Sequence, residues 1–342
     1  MNVSVAMCTY NGSQYLGDQL KGIGEQTKAP CEAIICDDGS TDATPDIVRE
    51  FAKGAPFPVR FIRNEVRLGS TKNFEKAIGL CNGEAIALCD QDDLWERDKL
   101  CRMAQMLGRE SDVGGVFSDA SLIDEKSNSL ADSLWERREF THKMQATLNG
   151  TCPALVLLER NMVTGATLLF RSHFVKQVTP IPAEWVHDAW IAFLIAAQSR
   201  LRAVPERLMS YRLHPMQQIG MKAVRWQDAL DVERDTAIAA HDLLLNRWCL
   251  MTAKLATLPV DPTITRLVQN KVKFLQTRSG LRQQGLGGRF VGATVALPGY
   301  FRFSRGLLSY CRDITRAGYR QRATADRGDS PPSSSGNGRV QV

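Results

Sequence analysis

The chain has 342 residues, 44% hydrophobic and 23% charged, a globular balance that allows one large domain or a domain with an appendage. It has no run of about 18 apolar residues, which excludes a membrane-spanning helix, and the longest apolar stretch, 189–197, is far too short. The formal net charge of +6 is unevenly placed: residues 266–327 carry thirteen Lys or Arg against two acids, Asp313 and Asp326, which offers that part an anionic partner.

The first residues run directly into a strand at 3–9, so no signal peptide is expected. A helix with Tyr15, Leu16, Leu20 and Ile23 on it follows at 13–25, then a short apolar strand at 33–37. Next come a helix at 44–52, capped by Ser40 or Asp42, a strand at 59–63, and a helix at 72–81 that Asn82-Gly83 ends. A strand at 85–89 and a helix at 96–107, for which Asp93 is a candidate cap, complete the first hundred residues. Apolar strands of about five residues alternating with helices predict a mostly parallel sheet covered on both faces. A second block, 113–211, carries strands at 114–118 and 166–171, a buried helix at 188–197 and a strand-like piece from 201. Beyond Met221 the pattern turns helical, clearest at 229–245. The Ser-, Pro- and Gly-rich tail 328–342 reads as disordered. The expected organisation is a nucleotide-binding domain over 1–220, a basic helical region over 221–327 and that tail.

Nine cysteines include no Cys-x-x-Cys pair. Cys8, Cys36 and Cys89 lie in apolar runs and read as small buried hydrophobes of a reducing, cytoplasmic compartment.

Polar motifs fall at one kind of place. Thr9-Tyr10-Asn11-Gly12, Asp37-Asp38-Gly39-Ser40-Thr41-Asp42 and Asp90-Gln91-Asp92-Asp93 each follow an apolar strand, and open α/β sheets bind ligands outside the carboxyl ends of their strands. Alternation along a strand lets Asp90 and Asp92 point to one side, where paired carboxylates supplemented by phosphate oxygens suit Mg²⁺ or Mn²⁺. Asp37-Asp38 is one acid more than a turn requires, which gives Asp38 a hydrogen-bonding role toward a pyrimidine or ribose. Neither a G-x-G-x-x-G loop after the first strand nor a G-x-x-x-x-G-K-[ST] loop occurs, which argues against a dinucleotide dehydrogenase and a P-loop nucleotidase.

Together with Leu94-Trp95, with Asn161-Met162-Val163-Thr164-Gly165-Ala166-Thr167, with His187-Asp188-Ala189-Trp190 and with Tyr211-Arg212-Leu213-His214, these motifs resemble glycosyltransferase family 2 over about residues 2–220. The run from Asp90 to Trp95 resembles its rhamnosyltransferase-type branch most. The resemblance implies the GT-A fold, an α/β class with a mostly parallel central sheet flanked by helices, here with a helical C-terminal extension. It implies that Thr9 and Asp38 contact the nucleotide, with Tyr10 and Asn11 shaping that pocket and Gly69 and Asn73 lining the donor side. Asp90, with Gln91 beside it, would face the ribose and sugar. Asp92 would bind the metal, Mg²⁺ or Mn²⁺, under the diphosphate, and Arg212 and His214 would close over that diphosphate, His214 next to the metal. Asp188 matches the catalytic base. After His214 the chain reads Pro215-Met216, where the branch usually has Gly or Asn.

The implied reaction is inverting transfer of a sugar, rhamnose favoured, from a nucleoside-diphosphate donor such as dTDP-rhamnose to a hydroxyl of a surface-polysaccharide or lipid-linked glycan acceptor. The leaving diphosphate gains charge that a metal and oriented donors offset, and a carboxylate on the opposite face takes the acceptor proton. Read locally, Asp188 is also a candidate N-cap, His187 a partly buried neighbour and Trp190 a core residue. Two other readings remain: a non-catalytic sugar-nucleotide-binding component of an assembly complex, and a nucleotidyltransferase, against which the missing Gly-rich basic loop speaks. In the C-terminal region, basic residues interleaved with apolar ones predict a seat on the anionic cytoplasmic face of the inner membrane, against a merely solvated surface; no nucleic-acid motif accompanies them.

Overall fold

The structure, a computed structural model, describes residues 1–215, 234–281, 284–304 and 306–315. The tail 328–342 and the start of the helix expected at 229–245 lie outside those residues.

The chain opens with β1 (Val3–Thr9), α1 (Leu16–Gly24), β2 (Glu32–Asp37), α2 (Thr44–Gly54), β3 (Val59–Arg63), α3 (Ser70–Gly79) and β4 (Ala85–Cys89). All six residues of β2 and all five of β4 are buried, the mark of a parallel strand covered on both faces. β1 pairs in parallel with β2 on one side and β4 on the other, and β3 lies outside β2. The chain therefore winds outward from β1 to β3 and returns to the far side of β1 as β4. That reversal opens a crevice at the carboxyl ends of β1 and β4, where open α/β sheets hold ligands.

The sheet continues in mixed sense. It uses β5 (Leu94–Trp95), β6 (Val113–Ile123), β7 (Ser129–Ser133), β8 (Leu168–Arg171) and β9 (Arg200–Arg212). The order is β3-β2-β1-β4-β8-β6-β9-β5, with β7 added to β6. β8 runs antiparallel to both β4 and β6, and β6 and β9 run parallel. Helices α4 (Lys99–Arg109), α5 (Leu134–Arg137), α6 (His142–Leu148), α7 (Ala154–Glu159), α8 (Val175–Val178) and α9 (His187–Gln198) fill the connections. Every residue of α9 from Trp190 to Ala197 is buried, so this helix is apolar all round and packs against α3, α7, α8, β6 and β9 as a core element.

Several boundaries differ from the sequence expectation. The helix expected at 96–107 starts at Lys99, because Leu94 and Trp95 pair with Ser210 and Met209 of β9 as an added strand. Asp93 is therefore no cap; it is buried and accepts the Arg212 N–H at 3.1 Å. Neither Ser40 nor Asp42 is the N-cap of α2, which is Ala43, although Asp42 accepts the Thr44 N–H at 3.0 Å. The strand-like piece from 201 and Tyr211 belong to one thirteen-residue strand, β9. All nine cysteines are free; Cys36 and Cys89 are buried, whereas Cys31, Cys249 and Cys311 are exposed.

The C-terminal part is helical: α10 (Arg234–Leu255), α11 (Pro262–Leu281), α12 (Leu286–Val295), α13 (Leu297–Phe303) and α14 (Leu307–Thr315). It is fastened to the sheet domain by aromatic packing. Trp248 of α10 lies edge-on to Trp185 at 5.5 Å and to Phe193 of α9 at 5.1 Å. The ammonium of Lys271 on α11 lies 4.0 Å from the Trp248 ring centre and donates to the Leu158 carbonyl near the end of α7. Burial holds the pKa of Lys271 down to about 7.

Candidate active site

A cavity of about 690 Å³ opens at the carboxyl ends of β1, β2 and β4, within the size range of a small-molecule site. Thr9, Tyr10, Asn11, Asp38 and Asn73 line one side, Asp90, Gln91 and Asp92 its floor, and Asp188 and His214 its other side. The fold thus brings together ten of the residues singled out in the sequence. Gly69 and Arg212 stand behind the wall and hold residues that line it.

The loops after β1 and β2 are tied by their own acids. Asp37 accepts the Thr9 hydroxyl at 2.9 Å, the Ser40 hydroxyl at 2.5 Å and the Ser40 N–H at 2.9 Å. Asp38 accepts Leu68 N–H at 2.7 Å, Gly69 N–H at 2.8 Å and the Asn64 amide at 2.9 Å, and so pins the 64–69 loop. Gly69 has φ of +78°, a conformation that costs a side-chain-bearing residue strain, and it starts α3 from there. Asn73 is buried and bonded to the Cys36 carbonyl at 2.8 Å and to Asn64 at 2.9 Å. Asn11 adopts φ of +46°, which Asn tolerates, and its side chain accepts the Thr41 N–H at 2.8 Å. Tyr10 carries the Arg67 guanidinium 3.9 Å from its ring centre. The Gln91 amide closes a reciprocal pair with the Tyr10 backbone at 2.8 and 3.1 Å, and a Cβ on Gly12 would come within 2.2 Å of it. Two acids are present after β2 because each holds a different loop.

The floor differs. Nothing among the described residues hydrogen-bonds to the Asp90 carboxylate, and burial, Asp92 and Asp188 push its pKa up to about 7. Asp92 Oδ2 lies 2.7 Å from His214 Nε2. Behind Asp92, Arg212 is 1% exposed; its guanidinium donates to the Asp92 carbonyl at 2.8 Å, the Asp124 carbonyl at 3.2 Å and the Ser127 hydroxyl at 2.8 Å, and stacks 4.5 Å from the Tyr15 ring centre. Arg212 thereby fixes the height of the 90–93 loop. Burial raises the Asp93 carboxyl well above the usual range, and the same burial lowers its neighbour Lys99 to about 8.

Asp188 is the second residue of α9, and its carboxylate does not cap the helix. It turns outward to accept the Gly165 N–H at 3.0 Å and the Asn161 amide at 3.2 Å. Asn161 is itself locked by reciprocal bonds to Val163 at 2.8 and 3.0 Å. The Asn161-to-Thr167 motif is legible in sequence, and its role in orienting Asp188 emerges only from the fold. His187 is 5% exposed and stacks on Phe74 at 4.0 Å; burial lowers its pKa.

Comparison with known proteins accords with this geometry. Residues 4–160 match the model for glycosyl transferase family 2, the family that the sequence motifs resemble. It is 26% identical over 217 residues to an uncharacterized glycosyltransferase of Nostoc sp., a match spanning 63% of this chain and 65% of that protein, less than two thirds of its length. It is 27% identical over 229 residues to the dTDP-rhamnosyl transferase RfbG of Shigella flexneri, spanning 63% of this chain and 73% of RfbG. Among solved structures, the mannosyltransferase PcManGT of Pyrobaculum calidifontis, in complex with GDP-Man and Mn²⁺, is similar at a TM-score of 0.53 and 18% identity, covering 88% of this chain and 75% of that one. That likeness is one of fold, and the mixed sheet with flanking helices is the GT-A-type arrangement implied by the sequence motifs.

Proposed function

We propose that this protein is an inverting, metal-dependent glycosyltransferase that moves a deoxysugar, rhamnose favoured, from a nucleoside-diphosphate donor to a hydroxyl of a glycan or lipid-linked glycan acceptor. One observation carries the reading: an oriented carboxylate, Asp188, shares a cavity with a floor carboxylate, Asp90, to which no described residue hydrogen-bonds, and with the Asp92–His214 pair. The rhamnosyl preference rests on likeness to RfbG.

Thr9, Tyr10 and Asn11 bound the nucleotide side, and Asp38 fixes the loop that closes it. Asp90 faces the transferred sugar. Asp188 accepts the proton of the acceptor hydroxyl as the acceptor oxygen bonds to the anomeric carbon and the bond to the diphosphate oxygen breaks, which inverts that carbon. The bonds from Gly165 and Asn161 hold the carboxylate in place for this proton transfer.

No set of three or more His, Cys, Asp and Glu among the described residues could hold a metal ion by itself. Asp92 and His214 offer one oxygen and one nitrogen side by side, which fits a divalent ion completed by diphosphate oxygens, and Mn²⁺ or Mg²⁺ suits such a donor set. When bound, the ion would offset the charge that grows on the leaving diphosphate.

The C-terminal helices support a peripheral seat on a membrane. Leu286, Phe290, Val291, Val295, Phe301, Leu307 and Leu308 are 55–77% exposed. No helix among the described residues is long and apolar enough to cross a bilayer, so such contact would be superficial.

The test offers purified protein dTDP-rhamnose, UDP-GlcNAc and GDP-mannose with Mg²⁺ or Mn²⁺ and measures both nucleotide binding and diphosphate release with a glycan acceptor. Turnover of one donor, abolished by EDTA and by Asp92→Ala, is the expected result. Binding without turnover of any donor would favour the non-catalytic reading, and full activity in EDTA would remove the metal.

A further inference from the structure

The wall around Asp188 is built differently from the nucleotide side. Two arginines line it, Arg138 at the end of α5 and Arg247 on α10. Each is attached to the backbone that places Asp188. Arg138 donates to the Asn161 carbonyl at 3.2 Å, and Asn161 holds Asp188. Arg247 donates to the Glu184 carbonyl and accepts the Trp185 indole N–H at its own carbonyl at 2.9 Å, just ahead of α9. Among the described residues no carboxylate lies within ion-pair distance of either guanidinium, whereas Arg102, Arg200, Arg202 and Arg278 each pair with an acid at 3.0 Å or less.

Burial holds the Arg247 guanidinium below its ordinary pKa, an effect that the charge of Glu184 offsets in part. Three neighbouring groups on this wall also lack partners. Arg138 Nε, Thr164 Oγ1 and both ring nitrogens of His187 are buried without a hydrogen bond, and Thr164 and His187 are each 5% exposed. A wall with spare donors and two guanidiniums that make no close ion pair with a described carboxylate is complementary to an oxyanion. The loops after β1 and β2 are held by their own acids, Asp37 and Asp38, and need no help from these residues.

Resting on the glycosyltransferase reading, we infer that Arg138 and Arg247 form an anion subsite beside Asp188 and that the acceptor carries a phosphate or carboxylate close to the hydroxyl that is glycosylated. The same geometry explains why α10 reaches the cavity, since through Arg247 it delivers a specificity residue there from the C-terminal helices.

The experiment uses the full chain saturated with whichever of dTDP, UDP or GDP binds it, plus Mg²⁺, and titrates farnesyl phosphate, methyl glucuronide and neutral methyl glucoside by calorimetry. An anionic probe should bind about tenfold or more tightly than methyl glucoside, as charge-assisted bonds to guanidinium predict. Which anion binds distinguishes a lipid-linked phosphate from an acidic sugar. Arg138→Gln with Arg247→Gln should erase the preference and leave nucleotide affinity within about twofold; Arg→Lys at both should restore part of it. Equal binding of charged and neutral probes by the unmodified protein overturns the subsite, as does a preference that survives folded Gln variants or a loss of nucleotide affinity in them. A chain that binds none of the three nucleotides would instead defeat the glycosyltransferase reading itself.

Discussion

The two sides of the cavity use their polar groups in opposite ways. On the side built by the ends of β1 and β2, Asp37, Asp38, Asn11 and Asn73 are consumed by hydrogen bonds within the protein, and they hold the loops after β1 and β2 and ahead of α3 rigid. Around Asp188 and on the adjoining floor, Arg138 Nε, Thr164 Oγ1, the His187 ring and the Asp90 carboxylate have no hydrogen-bond partner among the described residues. The contrast teaches that one side is a finished mould whose shape does not wait for a ligand, and the other is satisfied only when a substrate arrives. Preorganisation on the first side lowers the ordering cost of binding the donor, and unsatisfied groups on the second make binding selective.

If that division is right, the largest effect on turnover comes from Asp188. Replacing it with Asn keeps the shape and the bond from the Gly165 N–H, while the new amide meets the Asn161 amide donor, so a small loss of melting temperature is expected. The proton acceptor is gone, and turnover should fall about 10²- to 10⁴-fold. Nucleotide-sugar affinity should stay near that of the parent, because the mould is across the cavity. Paired measurement of turnover, donor affinity and melting temperature decides the matter; a folded variant that transfers sugar within about threefold of the parent rate would take Asp188 out of the mechanism, since a general base contributes far more than that.

The mould was the more legible half in the sequence. Its motifs sit at strand ends, and strands as apolar as β2 and β4 announce themselves, so the crevice could be placed from Thr9, Asp38 and Asp90 alone. What those residues do there was less legible. Asp37 and Asp38 look alike in sequence, yet each carboxylate reaches a different partner segment, and only tertiary contact selects it. Arg212 reads as a residue that reaches a diphosphate, but its guanidinium is enclosed by the Asp92 and Asp124 carbonyls and Ser127, groups far apart in sequence. The two-residue strand β5 has no periodicity of its own; its pairing with β9 moved the start of α4 and buried Asp93. Arg138 and Arg247 lie in segments with no motif, and nothing but the fold brings them beside Asp188.

A second prediction tests whether the mould is structural. Asp38→Ala removes the acceptor of the Leu68 N–H, the Gly69 N–H and the Asn64 amide in a site that is 4% exposed. Leaving buried donors unpaired should cost about 2–4 kcal/mol of stability in denaturant titration. Donor affinity should fall in parallel as the 64–69 loop loosens, while an Asp188→Asn change leaves that loop alone. Lost donor affinity with unchanged stability would instead assign Asp38 to direct ligand contact and blur the contrast between the two sides.

The smallest effect on chemistry, and the last to sharpen the contrast, concerns the exposed face of the C-terminal helices. The thirteen basic residues in 266–327 overstate the charge this face presents. Lys271 and Arg289 are buried and Arg278 is paired with Asp313 at 2.6 Å, so among the described side chains Arg266, Lys273 and Arg302 remain at the surface. Exposed apolar side chains lie in the same region, between Leu286 and Leu308. Val295 and Leu308, 77% and 75% exposed, are the most exposed of these side chains, and replacing both with Glu removes two insertions worth about 1.5–3 kcal/mol each when fully buried. Binding to vesicles of phosphatidylglycerol and phosphatidylethanolamine should weaken about 100-fold or more, with turnover on a soluble acceptor within about twofold of the parent. Added salt should weaken the intact protein's binding too, since each surface cation near an anionic bilayer contributes about 1 kcal/mol, but by less than thirteen such residues would demand. An intact chain that fails to sediment with these vesicles at low salt, or a double variant that sediments as well as the parent, would leave the exposed face without a membrane role.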